Sequence, residues 1–416
     1  MSLIKASILK PKFKRNAYLA KGLYLFIFAV GHVMAAEFTI TARYLPDSNN
    51  PTVNNFENTT PNTGYCASYP GWCLAGRRFS IAIPNTTDYM QLIKDQRVSL
   101  SVPYPWRNVQ ITHSDGSTQT VKLRIVGISA RYQLSPSAIV ITGVDDYHMA
   151  HLLTWREQGW SVPPIGCLAN GSTINEFAYS FLWMFNSASP CTKFSSYDVT
   201  PGLLFNDISL IYEIETPNPL DMSMGTYSGR LTYTVGQYGD VVFGTTRATD
   251  PFVNLNFTLS VQHNLRVQFP ASENHLELAP QGGWQQWKYN DVNHTPEKLT
   301  ASQPYQQWSS TRFKMQLQCQ YPAGADCGIQ NDTGSQTVAV KTSVTLPNGL
   351  LNTSNQPVNH YPLTNNTASV FKPTRYVNDE AATLYFEVDK SGVEKMLGSG
   401  DERFRGDVTV IWDSQV

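Results

Sequence analysis

Two short segments combine aromatic rings with arginines in the way a sugar site requires. Tyr65-Cys66-Ala67-Ser68-Tyr69-Pro70-Gly71-Trp72-Cys73-Leu74-Ala75-Gly76-Arg77-Arg78 sets three aromatics beside two guanidiniums, with Cys66 and Cys73 placed to close a small loop. Pro103-Tyr104-Pro105-Trp106-Arg107 offers the same combination again. A flat ring covers the C–H face of a pyranose, and a planar guanidinium donates to hydroxyls or to a sialic carboxylate. A loop held rigid by a disulfide loses less conformational freedom when it binds. Trp72, Arg77, Trp106 and Arg107 are therefore the expected ligand contacts. The plainer alternative has these rings capping a sandwich and the arginines in solvent.

The nearest approach to a reactive cluster is Asp145-Asp146-Tyr147-His148-Met149-Ala150-His151. Two histidines three apart on a helix could share a metal, but a third well-spaced ligand is missing, so a capped helix carrying surface histidines is the expectation. The chain has no Gly-x-Ser-x-Gly, no His-Glu-x-x-His and no phosphate loop. No catalytic residue, metal or cofactor is expected. Asn-x-Ser/Thr triplets at Asn58, Asn85, Asn170, Asn256, Asn293, Asn331, Asn352 and Asn365 are attributed to an Asn- and Thr-rich composition rather than to glycosylation.

The first 36 residues read as a leader. They hold Lys5, Lys10, Lys12, Lys14, Arg15 and Lys21, no acidic residue, an apolar run from Gly22 to Val33, and then Met34-Ala35-Ala36. This is a secretory signal cut after Ala35 or Ala36, its apolar run being short of the ~20 residues that span a bilayer. Without those six cations the formal charge of -1 becomes -1 - 6 = -7. A mature chain this acidic is no partner for nucleic acid. In an oxidising compartment the six cysteines formally allow 15 pairings, and the short loops Cys66 to Cys73, Cys167 to Cys191 and Cys319 to Cys327 are favoured.

Around these residues the chain is patterned for strands. Charged residues make up 15%, Gly and Pro are frequent, and short alternating runs recur, so the fold class expected is all-β, of sandwich type. Strands are expected at Phe38 to Tyr44, Arg78 to Ile83, Val98 to Val102, Val121 to Ser129, Ala138 to Thr142, Ser209 to Glu215 and Arg230 to Val235. Later ones are expected at Val253 to Val261, Leu265 to Phe269, Arg312 to Gln320, Thr337 to Leu346, Thr383 to Val388 and Asp407 to Trp412. Asp145 to Gln158 is the one expected helix. Thr245 to Pro251 reads as a linker, which divides the mature chain into residues 37–250 and 251–416. The stretch Asn348 to Thr374 reads as a connection.

One strand is written twice. Gly225-Thr226-Tyr227-Ser228-Gly229-Arg230-Leu231-Thr232-Tyr233-Thr234-Val235 recurs loosely in residues 401–412, with Phe404 two residues before Gly406 as Tyr227 is before Gly229. Each copy is expected to close one β-domain. The second stands four residues from the end of the sequence, which leaves the last sheet with an edge to be blunted or filled by another chain.

The leader, two β-domains in series and the glycine-centred strand at 225–235 and 401–412 together resemble the minor tip adhesins of alternate chaperone-usher pili, such as the tip subunit of colonization factor antigen I fimbriae and cable-pilus minor subunits. The resemblance implies two immunoglobulin-like β-sandwich domains in tandem. The first would bind a host-surface glycan or glycoprotein. The second would be an incomplete pilin domain, its missing strand supplied first by a periplasmic fimbrial chaperone and then, at an outer-membrane usher, by the amino-terminal extension of a major pilin subunit. Val408, Val410 and Trp412 would line the open groove. Such a protein passes through the periplasm to the fimbrium tip at the cell surface and is not an enzyme. Against this stand a secreted carbohydrate-active enzyme with an accessory β-domain and a non-adhesive minor pilin that initiates the fibre.

Overall fold

The computed structural model describes residues 36–414 apart from 158, 165, 271–274, 291–294 and 401. The expected leader, apart from Ala36, and the final Gln415-Val416 lie outside the described residues. What is described is built mainly of strands, as the composition requires.

The first half is organised on an eleven-stranded sheet. Its path runs Glu57–Asn58, Ala36–Tyr44, Phe252–Val261, Gly225–Thr234, Arg107–His113, Thr118–Ser135, Val199–Glu215 and Phe79–Ala82. Met90–Leu92 adds to Val199–Glu215, while Ala178–Phe185 pairs with both Thr118–Ser135 and Cys167–Thr173. A three-stranded sheet of Cys191–Phe194, Arg97–Ser101 and Val242–Phe243 sends Val98, Leu100 and Phe243 into the same core. Along Thr118–Ser135 the inward residues are first odd (Val121, Leu123, Ile125) and then even (Ile128, Ala130, Tyr132, Leu134). The pairing with Val199–Glu215 shifts register between Ile211 and Tyr212, opposite Val126. A bulge of this kind switches which face a strand presents. Here it brings Arg124 and Val126 onto the outer face.

In the second half, an eight-stranded sheet that includes Leu265–Gln268, Lys298–Ser309, Val377–Asp389 and Thr337–Thr345 faces a four-stranded sheet. The latter runs Leu350–Asn352, Ser369–Pro373, Phe313–Cys319 and Val408–Asp413. Phe313, Met315, Leu317, Val344, Phe371 and Leu384 form the core between them.

Several expectations are corrected. Ala138–Thr142 is a helix, not a strand: Ser137 accepts a hydrogen bond from the Val140 amide and Gly143 closes the turn at φ 72°, local bonds that outweigh the β preference of an Ile-Val-Ile run. The expected helix over 145–158 is confined to Tyr147–Leu153, started by Asp146, whose carboxylate accepts from the His148 and Met149 amides. The stretch 348–374 contains three strands, Leu350–Asn352, Tyr361–Leu363 and Ser369–Pro373. Phe252–Val261 belongs to the first sheet, paired parallel to Ala36–Tyr44 and antiparallel to Gly225–Thr234, so the sheets change over after Val261 rather than near residue 250.

The two halves meet through specific polar contacts. His263 Nε2 donates to the Met222 carbonyl at 2.9 Å, its Nδ1 lies 3.3 Å from Ser310 Oγ, and the Tyr376 amide donates to Asn54 Oδ1 at 3.2 Å.

Candidate functional site

Two places stand out, a cavity on the outer face of the first sheet and the outer edge of the second copy of the repeated strand. The cavity begins with Ala178–Phe185, a run buried along nearly its whole length. Tyr179, Phe181, Trp183 and Phe185 enter the main core, whereas Leu182 and Met184 point the other way and join Val126 and Ile211 in a small separate apolar cluster. Val126, Leu182 and Met184 of that cluster, with Tyr65 and Tyr104 against it, form the cavity floor.

One wall is the turn containing the short helices Tyr65–Ser68 and Pro70–Ala75, closed by the Cys66–Cys73 disulfide. The opposite rim is Leu168, Ala169 and Asn170, on the strand anchored by Cys167–Cys191. Cys319–Cys327 forms the third disulfide, so all three expected pairs are present. The cavity measures about 470 Å³, within the size range of small-molecule sites.

Its charge is concentrated in three side chains. Glu213 Oε2 accepts from Arg124 Nε at 2.9 Å and Nη2 at 2.6 Å, while Glu213 Oε1 lies 3.6 Å from Arg78 Nε. The Arg78 guanidinium stacks on Trp72 at 5.1 Å, and that of Arg124 on Tyr104 at 5.1 Å and Trp106 at 4.5 Å. Stacking on rings holds the arginines flat, so that their donors face along the wall. Tyr65 packs edge-on to Trp72 at 5.5 Å, and burial, followed by the charge of Tyr69, raises its hydroxyl above the ordinary 10.0, so it is a neutral group.

Of the residues expected from sequence, Trp72 lines this cavity and Trp106 lies beneath Arg124. Arg77 instead lines a neighbouring cavity of about 600 Å³ with Asn55, Phe56, Asn58 and Leu74. Arg107 pairs with Asp240 and stacks on Tyr233 at 4.9 Å. Arg124 and Glu213 went unrecognised because they come from distant strands. Arg78 and Tyr104 lie in the segments already singled out, and an arginine adjoining the expected pair was the available signal.

The aspartate–histidine cluster has other work. His151 is buried, with Nδ1 2.9 Å from the Tyr132 hydroxyl and Nε2 donating to the Asn175 carbonyl at 2.8 Å. Burial lowers its pKa from the ordinary 6.5. Among the Asn-x-Ser/Thr positions, Asn85 is buried and accepts from the Asp250 amide at 2.9 Å, and Asn365 donates to the Asp326 carbonyl at 2.9 Å.

At the second place, the repeated strands fold with the same parity. Tyr227, Leu231, Tyr233 and Val235 face inward in the first copy, and Val408, Val410 and Trp412 do so in the second, opposite Cys319, Leu317 and Met315. Both glycines sit where the chain crosses a neighbouring backbone. A Cβ on Gly229 would lie 2.5 Å from the Gln110 carbonyl oxygen, and one on Gly406 would lie 2.6 Å from that of Gly328. Only glycine allows this approach.

The copies differ in how deeply they are buried. The first pairs with Phe252–Val261 over Gly225–Thr234 and with Arg107–His113 only at Tyr227 and Ser228, and its Tyr233 and Val235 are buried. In the second, Phe404–Arg405 pairs with Asp326–Asn331, and Val408–Asp413 has Phe313–Cys319 as its one strand partner among the described residues. Its inward Val408, Val410 and Trp412 stay only partly buried, as do Leu265 and Val267 on the facing sheet. Trp412 meets Tyr305 at 5.5 Å and Phe269 at 6.0 Å.

No family model matches this sequence, and no curated protein matches it significantly. Among solved structures, a chain from a chaperone–tip adhesin complex of CFA/I fimbriae biogenesis is 10% identical, the alignment covering 92% of this chain and 97% of that one with a TM-score of 0.25. A chain from a chaperone–tip adhesion subunit pre-assembly complex of the archaic chaperone-usher Csu pili of Acinetobacter baumannii is 9% identical over 91% and 98%, with a TM-score of 0.21.

Proposed function

We propose that this chain is a fimbrial tip adhesin, exported through the periplasm, whose first half holds a host-surface glycan and whose second half accepts a strand from another protein. The observation that carries this reading is the repeated strand. After the glycine each copy pairs with one strand, yet Tyr233 and Val235 are buried in the first while the matching Val410 and Trp412 stay only partly buried in the second. A groove with an unpaired backbone edge and apolar walls accepts an extended peptide by β-strand addition. The natural occupants are a chaperone during export and, in the fibre, the amino-terminal extension of a pilin. The first half supplies the cavity of Trp72, Arg78, Arg124 and Glu213 for the receptor, with Arg77 in the adjoining cavity. The work is binding, without catalysis.

Fibre incorporation tests the reading. Cells expressing the chain with its chaperone, usher and pilin are expected to carry it in their fibres and to adhere. Val410→Arg, which places a charge in the groove, is expected to be absent from fibres and to abolish adhesion. Incorporation of the variant at the normal level contradicts the proposal.

A further inference from the structure

We propose that the cavity of Arg78, Arg124 and Glu213 is a subsite for a carboxylate-bearing pyranose. This deepens the receptor-binding half of the adhesin reading and rests on it for the source of the sugar. Two guanidiniums and one carboxylate leave a formal 2 - 1 = +1 in a recess walled by Trp72, Tyr65 and Tyr104 and floored by Val126, Leu182 and Met184. Glu213 is the one acidic residue among those lining it. A cation with apolar surroundings is stabilised by an anionic partner far more than one in water.

The donors for such a partner are in place. Arg124 spends Nε and Nη2 on Glu213, and its Nη1 makes no hydrogen bond among the described residues. Arg78 lines the recess, its buried Nε held in a 3.6 Å ion pair with Glu213 Oε1 and making no hydrogen bond. Glu213 is thus the one acceptor the two guanidiniums have among the described residues, and an anionic acceptor entering the recess meets donors still unspent. The rings offer stacking for the sugar's C–H face, the apolar floor accepts a methyl such as that of an acetamido group, and the Asn170 and Asn186 amides can serve hydroxyls. A ligand of neutral hydroxyls alone would leave the excess charge unmatched.

The experiment titrates the full exported chain with methyl α-N-acetylneuraminide, methyl β-galactoside and sodium acetate, following tryptophan fluorescence. Saturable binding of the acidic glycoside is expected, at least tenfold tighter than the galactoside or acetate. Arg124→Gln, which removes the excess charge, is expected to weaken it at least tenfold. Glu213→Gln, which raises the formal charge to +2, is expected to tighten it several-fold. Opposite signs separate recognition from scaffolding, since loss of a merely structural ion pair weakens binding in both variants. Arg266→Gln in the second half is expected to change nothing.

Equal binding of galactoside, equal binding of acetate, no saturable binding of the acidic sugar, or weakening in both cavity variants overturns the inference. A chain that enters fibres and promotes adhesion yet ignores the acidic glycoside refutes this inference and leaves the adhesin reading standing. A chain that binds the glycoside but never joins a fibre does the reverse.

Discussion

At the scale of single residues, the buried imidazoles set how the protein responds to acid. His151 and His263 both sit below the ordinary 6.5, burial being the main cause for each, because taking a charged ring out of water costs more than its hydrogen bonds to the Asn175 and Met222 carbonyls return. The unfolded chain then binds protons that the folded chain refuses, so stability is complete above about pH 6.5 and is lost as pH falls below it. The melting temperature is expected to decline from pH 7 to pH 5, and NMR should show both rings titrating below 6.5. A His151 titration at or above 6.5 contradicts this. The Cys66–Cys73 bridge, closing a separation of 7 residues, should contribute about 2.5 kcal/mol by constraining the unfolded state. A Cys66→Ser/Cys73→Ser double variant is expected to melt lower and to bind sugar more weakly, as calorimetry and the fluorescence titration would show; unchanged binding would mean that the wall needs no staple. At this scale sequence reached the disulfide-closed loop that holds Trp72. It could not reach Arg124 and Glu213, because what joins them to Trp72 is a bulge opposite Val126 and the register of two strands nearly ninety residues apart.

At the scale of elements, the glycines of the repeat carry the clearest consequence. Valine at 229 or 406 meets a carbonyl oxygen at under 3 Å, an overpacking expected to cost about 1–3 kcal/mol. Both variants should therefore unfold at lower denaturant concentration, and wild-type midpoints would contradict the crossing geometry. Strand positions were mostly legible, since alternation is a strong signal where one face meets the core and the other meets water. It failed at Ala178–Phe185, which is apolar on both faces because the core lies on one side and the cavity floor on the other. It failed too at Ala138–Thr142, where an N-cap and a left-handed Gly143 decide the conformation. The place of Phe252–Val261 was hidden because its partners, Ala36–Tyr44 and Gly225–Thr234, impose it from opposite edges.

At the scale of the molecule, the contacts of His263, Ser310, Tyr376 and Asn54 tie the halves together, so the halves are joined through hydrogen bonds as well as through the chain. The central claim is that the second half is a sandwich short of one strand beside Val408–Asp413. Its most direct test is to fuse the partner pilin's amino-terminal segment to the carboxyl end of the chain through a short flexible linker and compare thermal unfolding with that of the unfused protein. An added strand that pairs with the open edge and covers Val408, Val410 and Trp412 stabilises by burial and by its high effective concentration. The fused protein is expected to be monomeric and to melt much higher, with the amides of Val408–Asp413 newly protected from exchange, while the unfused protein aggregates or copurifies with its chaperone. Equal melting, equal solubility and unchanged exchange along that strand would show that the sandwich is already complete.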